Sequence, residues 1–349
     1  MTVLSATSRP PSNGPGAGSA AAVPHAPLAA PPAAARPRRY LIVTPCRDEA
    51  RYARKTLESI VAQTILPTTW VIVDDGSSDE TPKILEEYAA KYPFIRVVRR
   101  DDRGYRKVGG GVVDAFYHGL DTVNPDEYEY LTKLDLDLIV PPTYFERMIE
   151  RMEAEPRLGT CSGKPYMEFN GRLVSESCGD ENSVGMIKFY RTQCFREIGG
   201  FVREVMWDGI DGHRCRMLGW IAASWDEKET RFVHLRPMGT SHHGWWTGRS
   251  RHGYGQYFMG TGVTYMTASA LYRMTRPPLL IGGVSMWWGY LRAAFAGRPR
   301  YDDVGFRRFL RRYQWSCLLM GKARATNRLN RLQEAAWKAK RRSPTDTTR

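Results

Sequence analysis

Three acidic clusters in this chain have the residue types and spacing to do chemistry. Asp74-Asp75-Gly76-Ser77-Ser78-Asp79 closes one apolar run, Asp135-Leu136-Asp137 closes another sixty residues on, and Trp207-Asp208-Gly209-Ile210-Asp211 follows later. A carboxylate at the end of a buried strand must be solvated or paired. Asp75 there could accept hydrogen bonds from a base N–H or a ribose hydroxyl, although the segment also reads as an Asp-Gly turn with a helix cap. In Asp135-Leu136-Asp137 the two outer side chains share one face of an extended chain. Two carboxylates so placed suit a hard divalent cation, Mg2+ or Mn2+, with a diphosphate supplying further oxygens.

The elements that must position these acids follow from hydrophobic pattern. Tyr40 to Val43, Trp70 to Val73, Ile95 to Val98 and Tyr130 to Leu134 are short apolar runs of the kind buried strands show. Helical patterns over Asp48–Gln63, Thr81–Tyr92 and Val108–Leu120 separate them. Strands alternating with helices imply an α/β fold with a mainly parallel sheet, whose site lies at the carboxyl ends of the strands. Residues 143–154 read as a further helix, Gly159 to Val205 as irregular and β-like, and Asp211 to Gly219 as a helix closed by glycine.

Charge is distributed unevenly. The net charge of +14 comes from residues 1–39 (+4) and 292–342 (+12), leaving residues 40–291 near −2. A uniformly basic nucleic-acid cleft is therefore disfavoured in the body of the chain. Ala, Pro, Gly and Ser fill 26 of the first 39 positions, which predicts a disordered tail. The six cysteines form no C-x-x-C pair, which argues against a zinc module or a disulfide framework and for a reducing, cytoplasmic setting. No serine-histidine-acid order, P-loop lysine or Gly-x-Gly-x-x-Gly points to another catalytic class.

The chain resembles the family 2 glycosyltransferases. The resemblance rests on Thr44-Pro45-Cys46-Arg47-Asp48-Glu49-Ala50, Val73-Asp74-Asp75-Gly76-Ser77-Ser78-Asp79, Asp135-x-Asp137 and Trp207-Asp208-Gly209-Ile210-Asp211-Gly212-His213-Arg214. It covers roughly residues 40–240. It implies a GT-A-type fold and an inverting transfer of sugar from a nucleoside-diphosphate donor to a saccharide or lipid-linked acceptor. By the same resemblance Thr44, Pro45, Glu49, Asp75 and Asp135 hold the nucleotide, and Asp137, with Asp135, holds the cation. The general base falls at Asp208, which precedes the helical stretch from Arg214 to Gly219. The residue before it is Trp207, where the family commonly has Glu, and Asp211 is the alternative base. A histidine ligand falls at His234, with His242 and His243 as alternatives. Arg249 and Arg251 could neutralise the diphosphate from a mobile loop.

These readings divide the chain into a tail over 1–39, a GT-A catalytic domain over 40–245, a mostly helical basic extension over 246–342 and a tail over 343–349. Gly253–Tyr272 and Pro278–Leu291 carry almost no charge, yet the first is diluted by glycine and threonine and the second is too short to span a bilayer. Across residues 253–342, aromatic residues (Trp287, Trp288, Tyr290, Trp315) lie before and among dense Lys/Arg, the composition of a peripheral attachment to an anionic membrane. Polysaccharide or glycoconjugate assembly in a bacterium, at the inner face of the membrane, is the expected setting. The rivals are a nucleotidyltransferase on a similar fold and a non-catalytic membrane or nucleic-acid adaptor.

Overall fold

Strand β1 (Tyr40–Cys46) leads into helix α1 (Ala50–Val61), and β2 (Thr69–Asp74) into α2 (Thr81–Lys91). Then come β3 (Ile95–Arg99), α3 (Gly110–Leu120), β4 (Tyr130–Leu134), the short β5 (Leu138–Ile139) and α4 (Tyr144–Ala154). The computed structural model describes residues 38–101, 109–236, 244–276 and 279–341. The tail expected over 1–39 lies outside these residues except for its last two. Arg38 donates two hydrogen bonds to Glu153 (2.9 and 2.8 Å), so the folded chain begins before the first apolar run. The tail expected over 343–349 lies outside the described residues.

The stretch that read as irregular resolves into β6 (Leu158–Ser162), β7 (Lys164–Phe169), β8 (Arg172–Ser175), β9 (Ile187–Arg191) and α5 (Thr192–Glu197). After it come α6 (Trp207–Met217), β10 (Ile221–Ser224) and β11 (Arg231–His234). Helix α6 begins four residues before the expected Asp211, because Trp207 is buried against Phe201 (ring centroids 4.6 Å apart) and anchors the first turn. Two glycines in Trp207–Gly212 weaken helix propensity enough to hide that turn in the sequence.

The main sheet has the order β10-β6-β9-β4-β1-β2-β3. Strands β3, β2, β1 and β4 are mutually parallel, and β9 runs antiparallel between β4 and β6. This is the mixed α/β sheet flanked by helices that the resemblance implied. Strands β2 and β4 are buried throughout, and β1 at every residue but Pro45, because helices cover both faces. One core packs Ile42, Leu57, Ile72, Leu85 and Phe145 on the face of α1, α2 and α4. The other packs Val43, Val71, Phe116, Phe195 and Trp207 on the face of α3, α5 and α6. A smaller sheet, β5-β11-β7-β8, leans on the end of β4 and delivers the close of β11 to it.

The carboxyl-terminal part is helical as expected: α7 (Gly244–Met259), α8 (Val263–Met274), α9 (Ile281–Phe295), α10 (Val304–Met320) and α11 (Lys322–Arg341). The expected limit at 245/246 falls inside the first turn of α7. Helix α10 packs Phe306 and Leu310 with Ile210 of α6, and α11 returns to the catalytic body. There Trp337 meets Trp220 edge-on at 5.5 Å, and Arg341 donates to Glu197 at 2.8 and 2.9 Å. Among the described residues, no helix is long and apolar enough to cross a membrane.

Candidate active site

Parallel β1, β2 and β4 end side by side, with Cys46 beside Asp74, so the segments after them share one edge of the sheet. After β1 the chain turns at Asp48, held in the left-handed region (φ 54), and Asp48 Oδ1 accepts from the Ser78 amide (2.8 Å). The Ala50 and Thr81 amides donate to the two oxygens of Asp79 (3.1 and 2.9 Å), and Asp74 accepts from the Ser77 amide (2.9 Å). Asp74 and Asp79 therefore do the turn-and-cap work that the sequence allowed. Asp75 instead is buried and pairs with Arg100 (2.8 Å), while its carbonyl accepts from Arg47 (2.9 Å). The Thr44 hydroxyl accepts from the Trp70 indole (2.8 Å), and Pro45 has no N–H to offer.

The end of β11 lies antiparallel to β5, which begins just after Asp137, and the Leu235 amide donates to the Asp137 carbonyl (2.9 Å). That pairing brings His234 Nε2 to 3.7 Å from Asp137 Oδ2 and Arg236 Nη2 to 2.6 Å from the same oxygen. Arg236 also holds Glu49 at 2.9 Å, joining the first-strand loop to the Asp-x-Asp. Burial acts to raise the Asp137 carboxyl, but the His234 hydrogen bond and the Arg236 charge outweigh it and hold it below the usual range. Burial acts to lower the His234 imidazole, but Asp137 and Glu176 prevail and push it up to about 9.

The fit to a divalent cation rests on two observations. Asp137 Oδ1 is buried with no hydrogen-bond partner among the described residues, while Oδ2 is engaged. His234 turns Nε2 toward Asp137 and pairs Nδ1 with Glu176 Oε2 at 2.8 Å, the carboxylate–histidine arrangement that orients metal-binding imidazoles. Among the described residues no group of three or more His, Cys, Asp and Glu side chains could hold a metal by itself. A two-donor protein site suits an ion that takes its other ligands from phosphate and water. Asp135 is a neighbour rather than an open ligand: Lys133 pairs with it and donates to the Gly185 carbonyl (3.0 Å). Burial, with help from nearby Asp137, raises the Asp135 carboxyl despite Lys133.

The acids expected on the acceptor side lie on α6. Met206, at its start, sits in the left-handed region (φ 65), and Asp208 follows in the first turn. A methyl placed on Gly185 would lie 2.7 Å from Asp208 Oδ2, so that carboxylate rests directly on the backbone segment whose carbonyl holds Lys133. Asp135 and Asp208 thus stand on either side of one lysine–carbonyl link. The alternative base, Asp211, is corrected: it is 1% exposed and its oxygens are taken by Lys188 (2.6 and 2.7 Å) and Tyr190. Burial, partly offset by Lys188, raises its carboxyl.

The mobile-loop reading of Arg249 and Arg251 is also corrected. Both lie in α7, half-buried, and burial pushes both guanidinium groups down. Arg236 is the arginine that bridges Glu49 and Asp137. It stands two positions after His234, where side chains of an extended chain share a face, a signal the sequence offered. Lys133, two positions before Asp135, stood in the same spacing, whereas Arg100 and Lys188 carry no comparable signal. His242 and His243 lie outside the described residues.

Fold and site together define an α/β protein with its acids gathered at the carboxyl edge of parallel strands. Residues 41–203 match the family model described as glycosyl transferase family 2, and the chain carries a domain of that family. It is 28% identical over 131 residues to poly-beta-1,6-N-acetyl-D-glucosamine synthase of Staphylococcus aureus (strain COL), covering 38% of this chain and 29% of the relative. It is 29% identical over 159 residues to EpsH of Bacillus subtilis (strain 168), covering 46% of this chain and 42% of the relative. The chain therefore spans less than half the length of these curated relatives. Among solved structures, mannosyltransferase PcManGT from Pyrobaculum calidifontis in complex with GDP-Man and Mn2+ is 16% identical with a TM-score of 0.46, covering 90% of each chain. TarS of S. aureus in complex with UDP-GlcNAc is 16% identical with a TM-score of 0.47, covering 83% of this chain and 82% of the other.

Proposed function

We propose that this chain is an inverting glycosyltransferase. It moves a sugar from a nucleoside-diphosphate donor to a hydroxyl of a saccharide or lipid-linked acceptor, in bacterial polysaccharide or glycoconjugate assembly. The observation that carries this reading is the Arg236 bridge, which ties Glu49 to Asp137 at the same sheet edge as Asp75, with Asp208 across the Lys133–Gly185 link. Asp75 and the loop after β1, including Glu49, hold the nucleoside. Arg236 offsets charge on the diphosphate.

Asp137 and His234, with Asp135 beside them, would hold Mg2+ or Mn2+. Such an ion, when bound, offsets the negative charge that builds on the departing diphosphate. Asp208 takes the proton from the acceptor hydroxyl as its oxygen attacks the anomeric carbon from the opposite face. The nucleoside diphosphate departs with the bonding pair, and the product has inverted anomeric configuration. Asp211 has no direct part and holds α6 through Lys188. The family match over residues 41–203 supports glycosyl rather than nucleotidyl transfer. Peripheral attachment to an anionic membrane, at its cytoplasmic face, belongs to the same reading.

A panel of nucleotide sugars with Mn2+ or Mg2+ tests the proposal. The right donor raises the melting temperature through binding to the native state and is slowly hydrolysed without acceptor. A panel in which no donor does either, with any cation, overturns it.

A further inference from the structure

We infer that the exposed side of the α8–α9 pair is a membrane-contact surface, lying in the headgroup layer of an anionic bilayer. Helix α9 has two apolar sides. One, with Gly283, Met286, Gly289 and Tyr290, is buried against its neighbours. The other presents Ile281, Val284 and Trp288, at helical spacing, to solvent. Leu280 just ahead of them is 65% exposed and held at φ 58, where leucine rarely sits. Leu271 and Tyr272, near the end of α8, are also exposed, and the Leu280 amide donates to the Met274 carbonyl (3.0 Å), tying the start of α9 to the end of α8. A strained backbone that exposes leucine is unfavourable in water and marks a site with a use.

Charge selects the occupant. From Thr230 to Tyr301 the chain has nine arginines and no lysine, aspartate or glutamate. Arg276 donates to the Tyr272 hydroxyl (2.9 Å), and Arg273 and Arg292 follow on the same two helices. A second copy docking here would set these arginines against their own counterparts. Nucleic acid would leave Leu280, Ile281 and Val284 uncovered. Arginine at the headgroups with Trp and aliphatic side chains below is the pattern of a helix lying in an anionic interface. Helix α9, 15 residues and about 22 Å long, is too short to cross and lies along the surface.

The surface is one helix away from the base. Gly255 of α7 packs on Met206 at the start of α6, and Gly253 of α7 packs on α9. An acceptor held at the bilayer surface is thereby brought toward Asp208. This inference deepens the membrane part of the proposed function and rests on it, but not on the catalytic chemistry.

Flotation of the full chain tests it, with vesicles of phosphatidylcholine alone or mixed with phosphatidylglycerol. The chain is expected to float with the mixed vesicles only and to be released by salt. The triple variant Leu280→Asp, Ile281→Asp, Trp288→Ser should bind at least about tenfold more weakly, and Arg273→Gln with Arg276→Gln should lose the salt-sensitive part. Both variants should keep the wild-type circular dichroism and donor hydrolysis. No binding to mixed vesicles, equal binding by the triple variant, or self-association that the triple variant abolishes without any vesicle binding would each overturn the inference. Vesicle binding by a chain that hydrolyses no donor would leave it standing and remove only the catalytic reading.

Discussion

Lys133 and Lys188 face each other across the β4–β9 register, both buried, with their ammonium groups 5.3 and 5.7 Å from the indole of Trp207. Each is committed to a different acid. Lys133 holds Asp135 on the donor side, and Lys188 holds Asp211 and the Asp208 carbonyl on the acceptor side. Two adjacent strands thus fix the distance between the Asp-x-Asp and α6. Lys188→Met leaves a buried carboxylate without its counter-ion and should cost about 3–5 kcal/mol of stability. Lys133→Met should cost less: the surrounding protein raises the Asp135 carboxyl, yet a third of that side chain still meets water, whereas Asp211 is wholly enclosed. Adding Asp211→Leu to Lys188→Met should restore most of the loss. Chemical denaturation of the three variants beside the wild type checks this.

Asp208 and Asp211 should separate cleanly by substitution. Asp208→Asn removes the proton acceptor and should slow transfer by about 10²–10⁴-fold. Donor-induced thermal stabilisation should be unchanged, since Asp208 lies on the acceptor side. Asp211→Asn leaves Lys188 and Tyr190 without their partner and should lower the melting temperature first. A rate loss in Asp211→Asn at full stability would instead place the base there.

Glu176 touches His234 and not the expected cation, so its effect should be indirect. Glu176→Gln should weaken Mn2+ affinity about 10–100-fold by freeing the imidazole orientation. Asp137→Asn should abolish binding. Titration calorimetry of Mn2+ into the two variants and the wild type checks both, and a chelator should remove donor stabilisation from the wild type.

The fold was legible because its parallel strands are continuous apolar runs and its helices strictly alternate with them. The acids at strand ends were legible for the same reason, since a strand that stops in Asp-Asp or Asp-Leu-Asp stands out against its own core. The partners of those acids were not. Arg100 and Lys188 lie on or beside strands far in sequence from the acids they meet, where a basic residue carries no sign of whether it faces solvent or a buried carboxylate; only Lys133, two positions before Asp135, shared a strand face with its partner. Asp211 stayed open as the alternative to Asp208 because one-dimensional spacing does not say which side of α6 meets β9. The start of α6 was hidden by Gly209 and Gly212 in its first turns, and tertiary burial of Trp207 overrode that propensity.

Thiol chemistry gives a pH test of the same burial. All six cysteines are free among the described residues, and burial, foremost, pushes the Cys178 thiol up to about 11. The thiolate is the reactive form, so alkylation of Cys178 should be slow at neutral pH and climb steadily through pH 10. Cys46 and Cys194, fully buried and raised further, should react only on unfolding. Mass spectrometry after iodoacetamide treatment across the pH range reads the order.

Gly253 of α7 and Gly289 of α9 make a reciprocal close crossing. A methyl on Gly253 would stand 1.8 Å from the Met286 carbonyl oxygen, and one on Gly289 would stand 2.0 Å from the Ser250 carbonyl oxygen. Both obstacles are backbone, so neither can turn aside, and the helices must separate. Alanine at either position should therefore destabilise by about 1–3 kcal/mol or more, despite alanine's better helix propensity. The effect should reach the site, because α7 also packs Gly255 on Met206, which starts the helix bearing Asp208. Gly253→Ala should thus raise the KM for acceptor while leaving donor binding intact, as measured by initial rates against each substrate. Equal loss of both would mean that α7 supports the whole fold rather than the acceptor side.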